Sequence, residues 1–207
     1  MLIAEELAVL LTKDRGGWHP TGHDVADVLA GGLLAELVAE GFIDREVDPA
    51  DIWARRRVRH QAEEPPGDPL LAEVYSSIAQ DQGAGAVQRR LAKASRDLVL
   101  PRLVTAEVLT TVRRPIIGPR YDLVDEGVRR RLREPLLATV LDGAPADQRV
   151  RTQMWLLNGA YCLRQALGLE LRDSLRVHGA VRELGRPGWP EKPAIDAMNG
   201  RRAAAAG

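Results

Sequence analysis

The 207-residue chain has little cysteine, little lysine and few aromatics: one Cys, one Phe and three Lys. A lone thiol at Cys162 rules out a disulfide framework and a thiolate metal cluster. It suits a reducing compartment, so a cytoplasmic location is expected. No uncharged run approaches the roughly 20 residues needed to cross a bilayer. The opening MLIAEELAVLL has Glu5 and Glu6 where a secretory leader needs Lys or Arg. Any membrane contact is therefore expected to be peripheral. The chain has no Gly-x-Ser-x-Gly, no P-loop and no dinucleotide fingerprint. His19 and His23 are four apart, but Pro20 and Gly22 interrupt a helical His-x-x-x-His, and no third ligand is evident. His60 and His178 have no carboxylate or nucleophile near them in sequence. The expectation is no enzyme, no cofactor and no metal.

What is present is arginine, unevenly placed. Net charge is zero. Residues 1–50 carry ten acids and three bases, whereas residues 87–133 carry twelve bases and five acids. Such a polar molecule has one face that attracts anions. Solvated helix faces give the same pattern, so both readings stay open.

Residues 28–44, VLAGGLLAELVAEGFID, carry the strongest structural signal. A helix that is apolar nearly all round is buried. Gly31 and Gly32 inside it cost about 1 kcal/mol each relative to Ala, which implies close packing by neighbouring helices. Thr21-x-x-Asp24 reads as its cap and Gly41 as its stop. The apolar stretch within Arg149–Leu167 is the expected partner. Leu2–Lys13 reads as an amphipathic helix and residues 42–59 as a hairpin turning at Asp48-Pro49, with Trp53, Arg55, Arg57 and Arg59 on one face. Glu63–Pro69 is an exposed loop, followed by a helix over Leu70–Gln80 and a break at Gly83 and Gly85. Val87–Val104 reads as helical, in one piece or in two around Ser95. A second hairpin spans Val108–Arg114 and Arg120–Val124. Helices over Asp125–Leu141, Arg172–Leu184 and Pro193–Ala206 finish the chain, with RRAAAAG as a frayed tail.

On the helix from Val87, the apolar side is expected to be Val87, Leu91, Ala94 and Leu98, and Arg89, Lys93 and Arg96 fall opposite. Cations at that spacing repel one another, and a bound phosphate relieves the repulsion. Arg90 lies beside them. Trp18, in the break RGGWHP, is either a lid folded onto the core or a ring that enters a membrane interface. The second hairpin is an oligomerisation arm, a wing of a winged-helix DNA-binding protein, or a covered edge.

Taken in order, several segments resemble the Golgi phosphoprotein 3 family. They are IAEELAVLLTKDRGG, LAGGLLAELVAEGFID, RRVRHQAEEPPGDPLLAEVY and LVTAEVLTT, spread over about Leu2–Val124. The resemblance implies a mainly α fold, a central helical bundle wrapped by amphipathic helices with two β-hairpins, in a single domain over residues 1–207. It implies a non-enzymatic peripheral membrane protein. The partners it implies are phosphatidylinositol 4-phosphate or a similar anionic membrane lipid, and cytoplasmic tails of membrane proteins. The family's paired cations fall on Lys93 and Arg96, with Arg89 or Arg90 in support. Its lipid-site Trp falls near Thr21, for which Trp18 stands three residues away. A family Arg falls on Ala30, a departure from the pattern. The implied homo-oligomerisation hairpin is about Val112–Asp122, with Arg113, Arg114, Ile116, Ile117 and Tyr121. No nucleic acid is expected, the winged-helix reading being the alternative. A third reading is an adaptor that recruits tails without lipid.

Overall fold

The computed structural model describes residues 1–13, 16–46, 57–79, 82–112 and 119–206. Its axis is α2 (Gly22–Ala39), against which α1 (Ile3–Leu11), α3 (Pro69–Ser77), α4 (Ala84–Thr105), α6 (Gln148–Gly159) and α9 (Lys192–Ala206) pack. Thr21 caps α2 by accepting the Asp24 amide on its hydroxyl, 3.3 Å. Gly41, in the left-handed region at φ +77°, follows its end and turns the chain into β1.

The two central glycines face two different helices. A Cβ on Gly31 would fall 2.7 Å from a methyl of Leu156 in α6, and one on Gly32 would fall 3.0 Å from the backbone of Ala4 in α1. The α6 partner expected from sequence is thus in place. A rotamer change of Leu156 relieves the first contact and leaves the single Cβ of Ala194 in α9 at 3.1 Å, whereas Gly32 faces two backbone atoms of α1 at 3.0 Å, which only a helix shift relieves. Gly32→Ala is therefore expected to cost about 1–2 kcal/mol net of its helix-propensity gain, with Gly31→Ala costing less. Urea midpoints test the order, and equal losses would contradict it.

Helix α1 differs from the amphipathic reading: all of its residues except Glu6 are buried. Its polar face is covered because neighbours bring cations to it. Arg102 of α4 lies 2.9 Å from Glu5, and Arg149 of α6 bridges Glu6 (2.8 Å) and Glu36 (3.0 Å). Burial pushes the Glu6 carboxyl above the usual carboxylate range, against the pull of Arg149.

The strands are peripheral. β1 (Ile43–Glu46), β2 (Arg57–His60) and β3 (Gln82–Gly83) form an antiparallel sheet in that order, with Ile43 opposite His60 and Val58 opposite Gln82. The turn at Asp48-Pro49, Trp53 and Arg55 lie outside the described residues. The expected break at Gly83 and Gly85 is instead a two-residue strand running directly into α4, and Gly85 is helical. β4 (Leu109–Val112) and β5 (Arg120–Leu123) form the second hairpin, with Leu109 opposite Leu123.

The C-terminal third is helical: α5 (Glu126–Asp142), α6, the one-turn α7 (Leu163–Ala166), α8 (Ser174–Glu183) and α9. The expected frayed tail is helical as far as Ala206. Arg201 pairs with Asp24 (2.9 Å) and with Asp27, and Arg202 pairs with Asp24 (3.1 Å). The two arginines thus bind the end of α9 to the first turn of α2.

Asp68 ties α3 to α4. Its carboxylate accepts the amides of Leu70 (2.9 Å) and Leu71 (3.2 Å) and both terminal nitrogens of Arg102 (2.7 and 2.9 Å). The Arg102 hydrogen bonds hold its carboxyl below the usual range. A depressed folded-state pKa gives stability that is present above the unfolded pKa and lost as pH falls through the folded one. Asp68→Asn keeps the cap and weakens the pair, at about 1 kcal/mol near pH 7 because both side chains are partly exposed. Urea midpoints of the two proteins are expected to converge as pH falls below about 4. A constant difference would contradict the linkage.

Candidate functional site

Helix α4 is continuous from Ala84 to Thr105, so the two-piece reading around Ser95 does not hold. Ser95 is buried rather than a break, and its hydroxyl donates to the Ala26 carbonyl, 2.9 Å. Gln88 is also fully buried and its amide donates to the Asp27 carbonyl, 3.0 Å. The buried stripe therefore runs through Val87, Gln88, Leu91, Ser95 and Val99, and Ala94 is exposed. The expected apolar face is rotated because two polar side chains find acceptors on the α2 backbone. A wheel that counts only apolar residues misses them.

The rotation leaves the cationic stripe outward. Arg89, Arg90 and Lys93 are exposed and Arg96 is half-buried. Arg90 is spent locally, donating to the Ser77 carbonyl at 2.7 Å. Arg89 lines a cleft of about 470 Å³ with Asp27, Asp196 and Arg201. Arg96 turns toward α2: a Cβ on Gly22 would lie 3.5 Å from its Nη1. Its buried Nε has no acceptor among the described residues.

That position matters because Gly22 is the first residue of α2. The first-turn amides of a helix lack intrahelical acceptors and sit at the positive end of its dipole. Thr21 takes the amide of Asp24, and among the described residues those of Gly22 and His23 have no acceptor. A guanidinium with an unused Nε–H beside exposed helix-start amides, with Lys93 one turn away on the same helix, is chemistry suited to a phosphate. The capping signal at Thr21 was legible in the sequence. The closeness of Gly22 to Arg96 was not, because 74 residues separate them.

Trp18 is half-buried, in a bridge with Thr12, and its ring lies 5.9 Å from that of Tyr121, tilted by 38°. The loop sits against the second hairpin so closely that a Cβ on Gly16, at φ +74°, would fall 1.8 Å from Asp122. Tyr121 is half-buried, with its ring packed against Trp18 within the chain. Arg113, Arg114, Ile116 and Ile117 lie outside the described residues. Ala30 is fully buried in α2 and contributes nothing to the basic face.

Cys162 is buried, and its thiol, pushed up to about 12 by desolvation, stays protonated near neutral pH. His60 stacks on Tyr75, ring centroids 4.0 Å apart. No group of three His, Cys, Asp or Glu among the described residues could hold a metal ion. No described helix is long and apolar enough to cross a membrane.

A search of curated proteins gives no match. A family model described as Golgi phosphoprotein 3 (GPP34) matches residues 3–200. The match takes in α1, α2, both hairpins and most of α9, so it extends beyond the segments that carried the resemblance. The chain belongs to the Golgi phosphoprotein 3 family.

Proposed function

We propose that this protein is a non-enzymatic peripheral membrane protein. It binds phosphatidylinositol 4-phosphate, or a similar anionic head group, where Arg96 and Lys93 of α4 meet the start of α2. The observation that carries this reading is Arg96, half-buried against Gly22 with an Nε that has no acceptor among the described residues. The phosphate takes the place of that acceptor and reaches the amides of Gly22 and His23. Arg89 and Arg90 add to the attracting field, and the exposed edge of Trp18 meets the interface. Each cation near an anionic surface contributes about 1 kcal/mol, so one chain docks weakly and in a salt-dependent way. Self-association through the second hairpin multiplies this by avidity. A membrane-held adaptor of this kind suits the recruitment of membrane-protein tails.

Vesicle flotation tests the reading. Phosphatidylcholine vesicles containing phosphatidylinositol 4-phosphate are expected to carry the protein up the gradient at low salt, and phosphatidylcholine alone is not. Equal flotation with both, or none with either, would overturn it. A gel shift of duplex DNA without flotation would favour the winged-helix alternative, and capture of a tail peptide without vesicle binding would favour the lipid-free adaptor.

A further inference from the structure

A second cavity lies at the opposite end of α2, away from the basic face by the length of an 18-residue helix, about 27 Å. It is a half-open cleft of about 490 Å³ between the start of α1, the last turn of α2, the start of α6 and the loop before α9. Ile3, Val38 and Trp189 make apolar wall, and Trp189 is fixed by donating its indole N–H to Asp44, 3.2 Å. Glu36, Asp147 and Glu191 bring three carboxylates. The one lining cation, Arg149, is already shared between Glu6 and Glu36.

Glu191 is the informative member. It is fully buried, and its Oε1 accepts the Thr152 hydroxyl at 2.6 Å. Its Oε2 has no donor among the described residues. A Cβ on Gly188 would fall 2.9 Å from that oxygen, so the loop backbone closes over it without supplying a hydrogen bond. Buried carboxylate oxygens are ordinarily satisfied because an unmet one is costly. The positive starts of α1 and α6 are already answered by Glu36, which accepts the Ile3 amide, and by Asp147, which accepts the Val150 amide at 2.8 Å, so Glu191 is the carboxylate left for a ligand, beside an indole whose face attracts cations. A half-open, partly apolar cleft of this size with a few placed polar groups has the character of a small-molecule site.

We propose that this cavity binds a primary ammonium group carried on a short apolar stem. Glu191 Oε2 accepts its hydrogen bond, Trp189 lies against the charged head, and Ile3 and Val38 contact the stem. The same chemistry is supplied by a free alkylamine or by a lysine side chain. The inference does not depend on lipid binding at the other end of α2.

Calorimetric titration of the full chain with n-pentylammonium, 1-pentanol and N-acetyl-lysine-N-methylamide tests it. Saturable binding of an ammonium compound, at least tenfold tighter than that of the alcohol, is expected. Glu191→Gln should weaken ammonium binding at least tenfold and leave the alcohol unchanged. Preference for the free amine identifies a small metabolite as the source, and binding of the lysine derivative at least as tight as that of the amine identifies a protein side chain. Both support the site. No saturable binding of either, equal binding of amine and alcohol, or unchanged amine binding by Glu191→Gln would overturn it. If the variant does not fold, the amine-to-alcohol ratio on the unaltered protein decides.

Discussion

Replacing Lys93 and Arg96 together by alanine is expected to lower partition onto vesicles containing phosphatidylinositol 4-phosphate by about 30-fold or more. Two surface cations at about 1 kcal/mol each give about 2 kcal/mol, and every 1.4 kcal/mol is tenfold. Arg96 adds to this because its contact is directional: a half-buried guanidinium beside α2 makes a charge-assisted bond, worth about twice a neutral one. Lys93 is exposed and Arg96 half-buried, so the loss of stability should stay at about 1 kcal/mol. Arg172→Ala/Arg176→Ala is the control. It removes the same charge from a region where both arginines are exposed and, among the described residues, pair with nearby Glu170 and Asp173. If binding follows net charge alone, the two double variants will lose affinity equally. If it follows geometry, only the first will. Raising the salt should erase the remaining difference, because exposed charges are screened within about 8 Å at physiological ionic strength.

The second large effect concerns stability. Arg201→Ala/Arg202→Ala is expected to destabilise the protein by about 2–4 kcal/mol, because it strips both cations from buried carboxylates at the start of α2. Asp27 is 3% exposed and Asp24 7% exposed. Without the arginines, Asp27 keeps only the long Gln88 contact at 3.4 Å, and among the described residues Asp24 keeps no ion pair. The figure sits at or below the usual cost of breaking a buried pair, because Arg201 is itself 41% exposed. Arg202 also lies over the Tyr161 ring, 4.2 Å from its centroid, and donates to the Gly159 carbonyl at 2.7 Å. Its loss therefore loosens α6 as well. Urea unfolding measures the change. A loss below about 0.5 kcal/mol would mean that these are ordinary surface pairs and that the last turns of α9 are dispensable.

The sequence made the helical frame legible because its signals are local. The glycine pair in α2 announced two close neighbours, Thr21 announced a cap, and the capping and turn residues bounded most elements. The errors arose where a distant part of the chain supplied a partner. Glu5 and Glu6 made α1 look half-exposed, yet Arg102 and Arg149 arrive from α4 and α6 to cover them. Ser95 left one helix or two open, and it is a donor to α2 within one continuous helix. RRAAAAG looked like a tail because nothing near it in sequence shows that Asp24 and Asp27 await its arginines. The candidate site divides the same way. Helical spacing alone picked out Arg89, Lys93 and Arg96, whereas the helix-start amides beside Arg96 depend on a contact over 74 residues, and Glu191 is held in the core by the Thr152 hydroxyl over 39 residues.

Titration of the 15N-labelled protein with inositol 1,4-bisphosphate, the soluble head group, gives the most direct answer. Shifts concentrated at the amides of Gly22 and His23 and at the Nε–H of Arg96, absent from Lys93→Ala/Arg96→Ala, are the expected result. Saturable shifts elsewhere with those three signals unmoved, or the same shifts in the double variant, would contradict an anion site at the start of α2.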